Sequence, residues 1–346
     1  MTNNDMVTKK YSFSNKSIDC FFNAKFSMLK ELVNKENTFL ITDENVFAKR
    51  ADKFAGWKTI VLKPGESFKN QDAVNDAIDQ LIQLQADRQS FIIGVGGGVI
   101  TDIAGFVASI YMRGIKFGFV PTSILAMVDA SVGGKNGIDV GVYKNLVGVI
   151  NHPEFLLYDY SFLETLPDEE WVNGFAEIIK HACIKDAAMF HLLQESTLAN
   201  FQASAEVIGK LIQQNVDIKY NVVANDERET GERKLLNFGH TIGHAIENTA
   251  ELPHGSAISI GMMAACAISE KINNFSKEET EKIRSLLSQY QLPVDFNIDK
   301  ENTWDILLHD KKKSGGDISF VVLDKIGKAS IKKIPLPDLH KIFYSL

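Results

Sequence analysis

The chain has 346 residues, 45% hydrophobic and 23% charged, the profile of a soluble globular protein long enough for two domains that share a cleft. A net charge of −7 argues against nucleic-acid binding and against polybasic attachment to membranes, and the most apolar run, 258–268, is too short to span a bilayer. No signal-peptide run opens the chain, and Cys20, Cys183 and Cys266 are odd in number without CxxC spacing, so reduced thiols and a cytoplasmic enzyme are expected.

In chain order, residues 1–30 read as short strands (KKYSFS, IDCFF). Residues 37–45 (NTFLITDEN) form an apolar strand that runs into Asp43 and Asn45, the strand-end position where α/β sheets bind ligands. A short strand at 59–62, the turn Pro64-Gly65-Glu66 and an amphipathic helix over 72–86 follow. The strand 91–95 feeds into Gly96-Gly97-Gly98 and a helix over 99–111, whose first amides and dipole would suit a pyrophosphate. Asp102 in that helix would repel a phosphate set against it and suits a ribose hydroxyl instead. After the strand 116–120, the stretch 126–145 (AMVDASVGGKNGIDVGVYKN) reads as a glycine-rich loop carrying Asp129, Lys135, Lys144 and Asn145. The strand 155–158 closes a half with alternating strands and helices, which predicts a Rossmann-like parallel sheet in an α/β domain over 1–160. Helical patterns dominate a second domain over 161–346, at 169–185, 205–224, 238–249, 256–271 and 276–290, the last with a Ser276/Glu279 capping box. A hairpin is expected from 318–323 and 329–334.

The chemistry concentrates in 235–255 (LLNFGHTIGHAIENTAELPHG). His240 and His244 lie four apart, on one helical face, and His254 sits in a turn between Pro253 and Gly255. Upstream, GFAEIIKHAC places Glu177, Lys180 and His181 on neighbouring helical positions among apolar residues, where a carboxylate needs a partner. Glu177 with His240 and His254 would make a three-ligand site with open positions, suited to Zn²⁺ and poor for Mg²⁺ or Ca²⁺.

The stretches GGGVITDIAGF, YMRG, VPTSILAMVDASVGGK, KNLVG, LPDEEW, GFAEIIKH, DERETGERKLLNFGHTIGHAIE, HGSAISIGM and DKK, in this order between Asp43 and Lys313, resemble the 3-dehydroquinate synthase family of sugar-phosphate cyclases. The resemblance implies a lyase that uses NAD and a divalent metal, usually zinc with cobalt as an alternative. Its substrate is 3-deoxy-D-arabino-heptulosonate 7-phosphate, and its products are 3-dehydroquinate and phosphate. Transient oxidation, phosphate elimination, re-reduction, ring opening and aldol closure make up the reaction. It puts the metal on Glu177, His240 and His254, and NAD on Asp43, Asn45, Glu66, Lys69, Gly97, Gly98, Asp102, Thr122, Ser123, Lys135, Lys144, Phe162 and Thr165. Substrate would meet Asp129, Lys135, Asn145, Lys180, Lys219, Arg233, Asn237, His244 and a lysine of Lys311-Lys312, with Lys312 favoured. Of these, Lys135, Asn145, Lys180, Lys219, Asn237 and His244 would be catalytic. Arg113 would reach the phosphate from the neighbouring subunit of a homodimer. Thr101, Ser123, Asn136 and His152 depart from the residues common in the family (glycine, threonine, threonine and glutamine). The nearest alternative is a metal-dependent polyol dehydrogenase of the glycerol type, which shares the two-domain plan but has no use for the lysine cluster.

Overall fold

The computed structural model describes residues 6–14, 16–141, 143–250, 252–295, 298–311 and 317–345. They form two compact units, 1–170 with 204–220 and 171–203 with 221–346.

The first unit is built on a seven-stranded sheet. Its strands are β1 (Val7–Ser12), β2 (Ser17–Phe22), β3 (Thr38–Asp43), β4 (Lys58–Leu62), β5 (Phe91–Gly96), β6 (Lys116–Pro121) and, later in the chain, β9 (Phe155–Tyr158). The spatial order is β1-β2-β9-β6-β5-β3-β4, and every neighbour pair is parallel except β1 with β2. β3 and β9 are buried along their whole length, as expected of parallel strands covered on both faces. Leu40, Ile93, Val95, Val120 and Leu157 pack with Phe26, Phe54 and Phe162 into one apolar core. The Rossmann-like expectation is met, and the helix after the glycine turn runs Gly98–Ile110.

The stretch 126–145 is not the open loop expected from its glycines. A π-helical turn, Ala126–Ala130, leads into an antiparallel hairpin of β7 (Lys135–Val140) and β8 (Tyr143–Ile150), separate from the main sheet. β7 buries Asn136, Gly137 and Ile138 while most of β8 faces outward. Neither strand therefore shows the alternation by which a half-buried strand is read from sequence.

The second unit is mainly helical, and its central element is the helix His254–Asn273. Ala257 to Ala265 are all buried, so this helix is apolar on every side, as a core helix must be. It stops at Asn274, which takes the left-handed conformation. Ser276 caps the helix Lys277–Gln289 by accepting the Glu279 amide at 3.1 Å. The expected hairpin is present and longer, β10 (Asp317–Lys325) with β11 (Lys328–Pro335). Helices Ala187–Gln194, Leu198–Gln202, Lys300–Lys311 and Leu336–Tyr344 were not expected; the first two are short, and Lys300–Lys311 has no apolar stripe to read. Among the described residues no helix is long and apolar enough to cross a membrane.

Candidate active site

In the second unit, Glu177, Lys180 and His181 are fully buried on the helix Asp168–Lys185. The i, i+3 spacing lets the Lys180 ammonium pair with Glu177 Oε2. Glu177 Oε1 faces two imidazoles, lying 3.5 Å from His240 Nε2 and 3.2 Å from His254 Nε2. Each histidine opens a helix, His240–Ala250 and His254–Asn273, so His254 belongs to the helix rather than to the turn before it. The approach to His240 depends on Gly239, at φ +80°, where an added Cβ would come within 2.9 Å of the Met262 backbone nitrogen.

The far side of each ring fixes its orientation. His240 Nδ1 lies 3.2 Å from the Phe238 carbonyl, which can only accept, so this nitrogen carries the proton. His240 Nε2 then presents a lone pair to the carboxylate oxygen of Glu177. A cation between the two would be shared by both electron pairs. His254 is held differently, with Nδ1 3.4 Å from Glu247 Oε2. Burial disfavours its charged form, but hydrogen bonds to Glu177 and Glu247 outweigh burial and lift it to about 10. Burial and the Lys180 ammonium push His240 well below its ordinary range. In the protein alone the positive charge therefore sits on His254; a divalent ion would take over that role. The ligand atoms of Glu177, His240 and His254 all lie within 4.8 Å of one another, and one carboxylate with two imidazole nitrogens suits Zn²⁺ or Co²⁺. His244 borders this trio, its ring centroid 5.0 Å from that of His240.

Arg233 and Asn237 are presented by a loop that Asp226 organises. The two Asp226 oxygens accept the amides of Thr230, Gly231 and Arg233 at 2.9, 2.7 and 3.0 Å. The Arg233 guanidinium donates to the Glu227 carbonyl at 2.7 Å, and Asn237 Nδ2 donates to Glu229 Oε1 at 2.5 Å. Glu227 and Glu229 went unremarked as site neighbours in the sequence, since the spacing signals that mark helical pairs do not reach across a loop; Glu247 stands out beside the histidines, but its contact with His254 Nδ1 is not readable from spacing. Lys312 lies outside the described residues.

In the first unit, Asp43 ends β3 and caps the following helix by accepting the Val46 amide at 3.0 Å; Asn45 is exposed beside it. β5 runs into Gly97, the N-cap of Gly98–Ile110. An added Cβ at Gly96 would lie 2.5 Å from Ile100 Cβ, whereas one at Gly97 would meet nothing of the protein closer than 3.5 Å. Packing thus explains the first glycine, while at the second the fold leaves room for a side chain. Thr122 and Ser123 follow β6 alongside, both buried, Ser123 Oγ accepting the Ala126 amide at 3.2 Å.

Lys69 is the hub of this unit's charged residues. Its ammonium lies 2.6 Å from Asp102 Oδ2, donates to Asn145 Oδ1 at 2.6 Å and sits 3.9 Å from Glu66. Burial works against the charge, but Asp102 and Glu66 outweigh it and raise the Lys69 pKa. Lys144 bridges Glu66 at 3.2 Å and Asp139 at 3.6 Å, and Asp139 also accepts the Asn145 amide at 2.7 Å. That amide belongs to a left-handed residue, φ +51°. Lys219 Nζ contacts Asp129 twice, at Oδ1 (2.8 Å) and at its carbonyl (2.7 Å). Lys135 is exposed at the start of β7, and Arg113 is exposed at a turn with φ +70°. The Phe162 ring is buried in the apolar core against Phe26, and Thr165 donates to the Phe162 carbonyl. Two of the departures are accommodated within the fold: Thr101 donates to the Gly98 carbonyl, and Asn136 to those of Gly134 and Asn151.

Residues 59–173 match the family model for the 3-dehydroquinate synthase N-terminal domain, and residues 174–313 match that for the C-terminal domain. The chain belongs to the 3-dehydroquinate synthase family. A 3-dehydroquinate synthase of Leptospira interrogans is 37% identical over 334 residues, covering 93% of this chain and 92% of the relative. Among solved structures, the 2-epi-5-epi-valiolone synthase of Streptomyces hygroscopicus with NAD⁺ and Zn²⁺ bound superposes with a TM-score of 0.87 at 23% identity, over 96% of this chain and 98% of that one. A 2-deoxy-scyllo-inosose synthase complexed with carbaglucose-6-phosphate, NAD⁺ and Co²⁺ gives 0.84 at 23% identity, over 98% and 100%. These two likenesses are of fold.

Proposed function

We propose that this member of the family is a 3-dehydroquinate synthase, converting 3-deoxy-D-arabino-heptulosonate 7-phosphate to 3-dehydroquinate and phosphate with NAD and a divalent cation. The observation that carries the reading is the convergence of Glu177 Oε1 with His240 Nε2 and His254 Nε2 beside a buried lysine. Glu177, His240 and His254 would hold zinc, or cobalt in its place. NAD would lie along Gly97 and Gly98, with Asp43 and Asn45 at one end and Glu66, Lys69, Asp102, Thr122, Ser123, Lys135, Lys144, Phe162 and Thr165 completing its pocket. When bound, the metal lowers the pKa of a coordinated alcohol and the nicotinamide takes up and returns a hydride.

The remaining work falls to the chain. Lys180, Lys219 and Arg233 bind and orient the acidic groups of the substrate; Arg233 suits a carboxylate bidentately. Asp129 and Asn237 fix hydroxyls, Lys135 and Asn145 hold the phosphate where it can assist its own departure, and His244 moves protons at the substrate oxygens. Lys312 closes the set. Arg113 serves the phosphate of a neighbouring subunit. Support for a dimer is the exposed apolar face of β8, with Leu146 at 59% and Ile150 at 52%. Three buried free thiols suit a cytoplasmic enzyme.

A polyol dehydrogenase would accumulate NADH, and that separates the readings. Metal-stripped protein is supplied with the heptulosonate phosphate, NAD⁺ and Zn²⁺, and free phosphate and reduced nicotinamide are followed together. Phosphate release with no net NADH is expected; net NADH without phosphate would overturn the assignment.

A further inference from the structure

β1 lies outside both segments matched to the family, yet its side chains grip the helix that carries Lys219. Lys9 and Tyr11 lie on one face of β1, as the period of a strand dictates, and Phe13 follows just past its end. Lys9 Nζ pairs with Asp217 Oδ2 at 2.7 Å, and the Tyr11 hydroxyl donates to Asp217 Oδ1 at 2.5 Å. The Tyr11 ring stacks on Tyr220 with centroids 4.0 Å apart and planes 9° from parallel. Phe13 is tilted against Tyr220 at 5.4 Å and stacks on His152 at 3.9 Å, which gives that departure from the family pattern a local partner. The Tyr220 hydroxyl is met from behind by Cys20 of β2 at 3.7 Å. Asp217 and Tyr220 flank Lys219 in sequence, so both sides of the lysine's helical turn are fixed by the N-terminal hairpin. A hydrogen bond alone would allow the turn to slide; a stacked ring, a hydroxyl and an ammonium together do not.

We infer that Tyr11, with Lys9, is a positioning residue for Lys219, holding its ammonium against Asp129; the functional consequence rests on the role proposed above for Lys219. The experiment uses the zinc- and NAD-loaded enzyme. Brief acetic anhydride treatment followed by mass spectrometry reads acetylation of Lys219, whose side chain is 9% exposed, relative to Lys210 on the same helix, 75% exposed. Tyr11→Ala is expected to raise relative Lys219 labelling about threefold or more as the turn loosens. It should also lower kcat about tenfold through misplacement of the ammonium, with KM for NAD unchanged. Tyr11→Phe keeps the stack and should recover most of both. Asp19→Ala, which removes an exposed pair with Lys10 elsewhere in the hairpin, should change neither. If Tyr11→Ala does not fold, Lys9→Ala gives the same test with a smaller rise, about twofold. Unchanged Lys219 labelling overturns the inference. Raised labelling with an unchanged kcat supports the positioning and removes Lys219 from the reaction instead.

Discussion

Replacing Glu177 by glutamine tests the metal site through stability and affinity at once. The side chain is completely buried, and its carboxylate balances the Lys180 ammonium and the charged His254 ring. The amide keeps the shape but leaves Lys180, only 1% exposed, without its counter-charge. Removing one partner from a buried pair costs about 3–5 kcal/mol, and the amide oxygen can still accept from Lys180, so the lower figure applies. In a unit of roughly 160 residues each kcal/mol moves Tm by about 2–4 °C, which gives a drop of about 6–12 °C for the metal-free variant. Zinc affinity, read by competition with a chromophoric chelator, should fall by more than the ~10–100-fold that loss of an outer partner costs. Glu247→Gln, at the far nitrogen of His254, should stay inside that range. A Glu177→Gln protein that melts with the wild type and binds zinc within about threefold of it would refute the site.

The glycine turn separates packing from ligand approach: Gly97→Ala should weaken NAD binding about tenfold or more by calorimetry with little change in Tm, while Gly96→Ala, forced against Ile100, should lower Tm. Equal NAD affinity in Gly97→Ala and wild type would count against the cofactor placement. For pH dependence, burial raises the Asp159 pKa, but bonds from Lys53 (2.7 Å), Ser161 and the Phe26 amide (2.9 Å) outweigh it, and the net shift is downward. A depressed carboxylate stabilises the fold above its unfolded pKa and loses that contribution as pH falls through its folded value. Denaturant unfolding at about pH 7 and about pH 3.5 should therefore show Asp159→Asn less stable than wild type at the higher pH and nearer to it at the lower; a constant gap would contradict the linkage.

The parallel sheet was legible because its strands are continuous apolar runs between turn residues, and the glycine turn after β5 marks itself. The convergence of Glu177, His240 and His254 was legible through residue type. Glu177 stands out as a carboxylate in an apolar helix, and His240 and His254 as imidazoles among small residues. The hairpin of β7 and β8 was not, since it pairs with itself and leaves one strand largely exposed, so apolar alternation carries no signal. Partnerships across loops were equally hidden. Nothing in the order of residues says that Glu247 backs His254, that Asp139 holds the left-handed Asn145, or that Tyr11 stacks on Tyr220 from two hundred positions away.

An acidic protein that handles an anionic substrate must hold its cations ready without letting them collapse onto one another. Here several candidate cations have their own oxygen partners within the same unit: Lys180 with Glu177, Lys219 with Asp129, Lys69 with Asp102, Lys144 with Glu66 and Asp139, Arg233 with the Glu227 carbonyl. Those partners hold the donors in fixed positions before substrate arrives, so little reorganisation remains for the bound state. They also set a threshold, because an anion must be good enough to share or displace a carboxylate already in contact. With the roles proposed above, an anionic group of the substrate would meet that threshold, where a neutral hydroxyl would not. On that proposal, the pairing that keeps the free protein electrostatically satisfied would also select against uncharged alcohols.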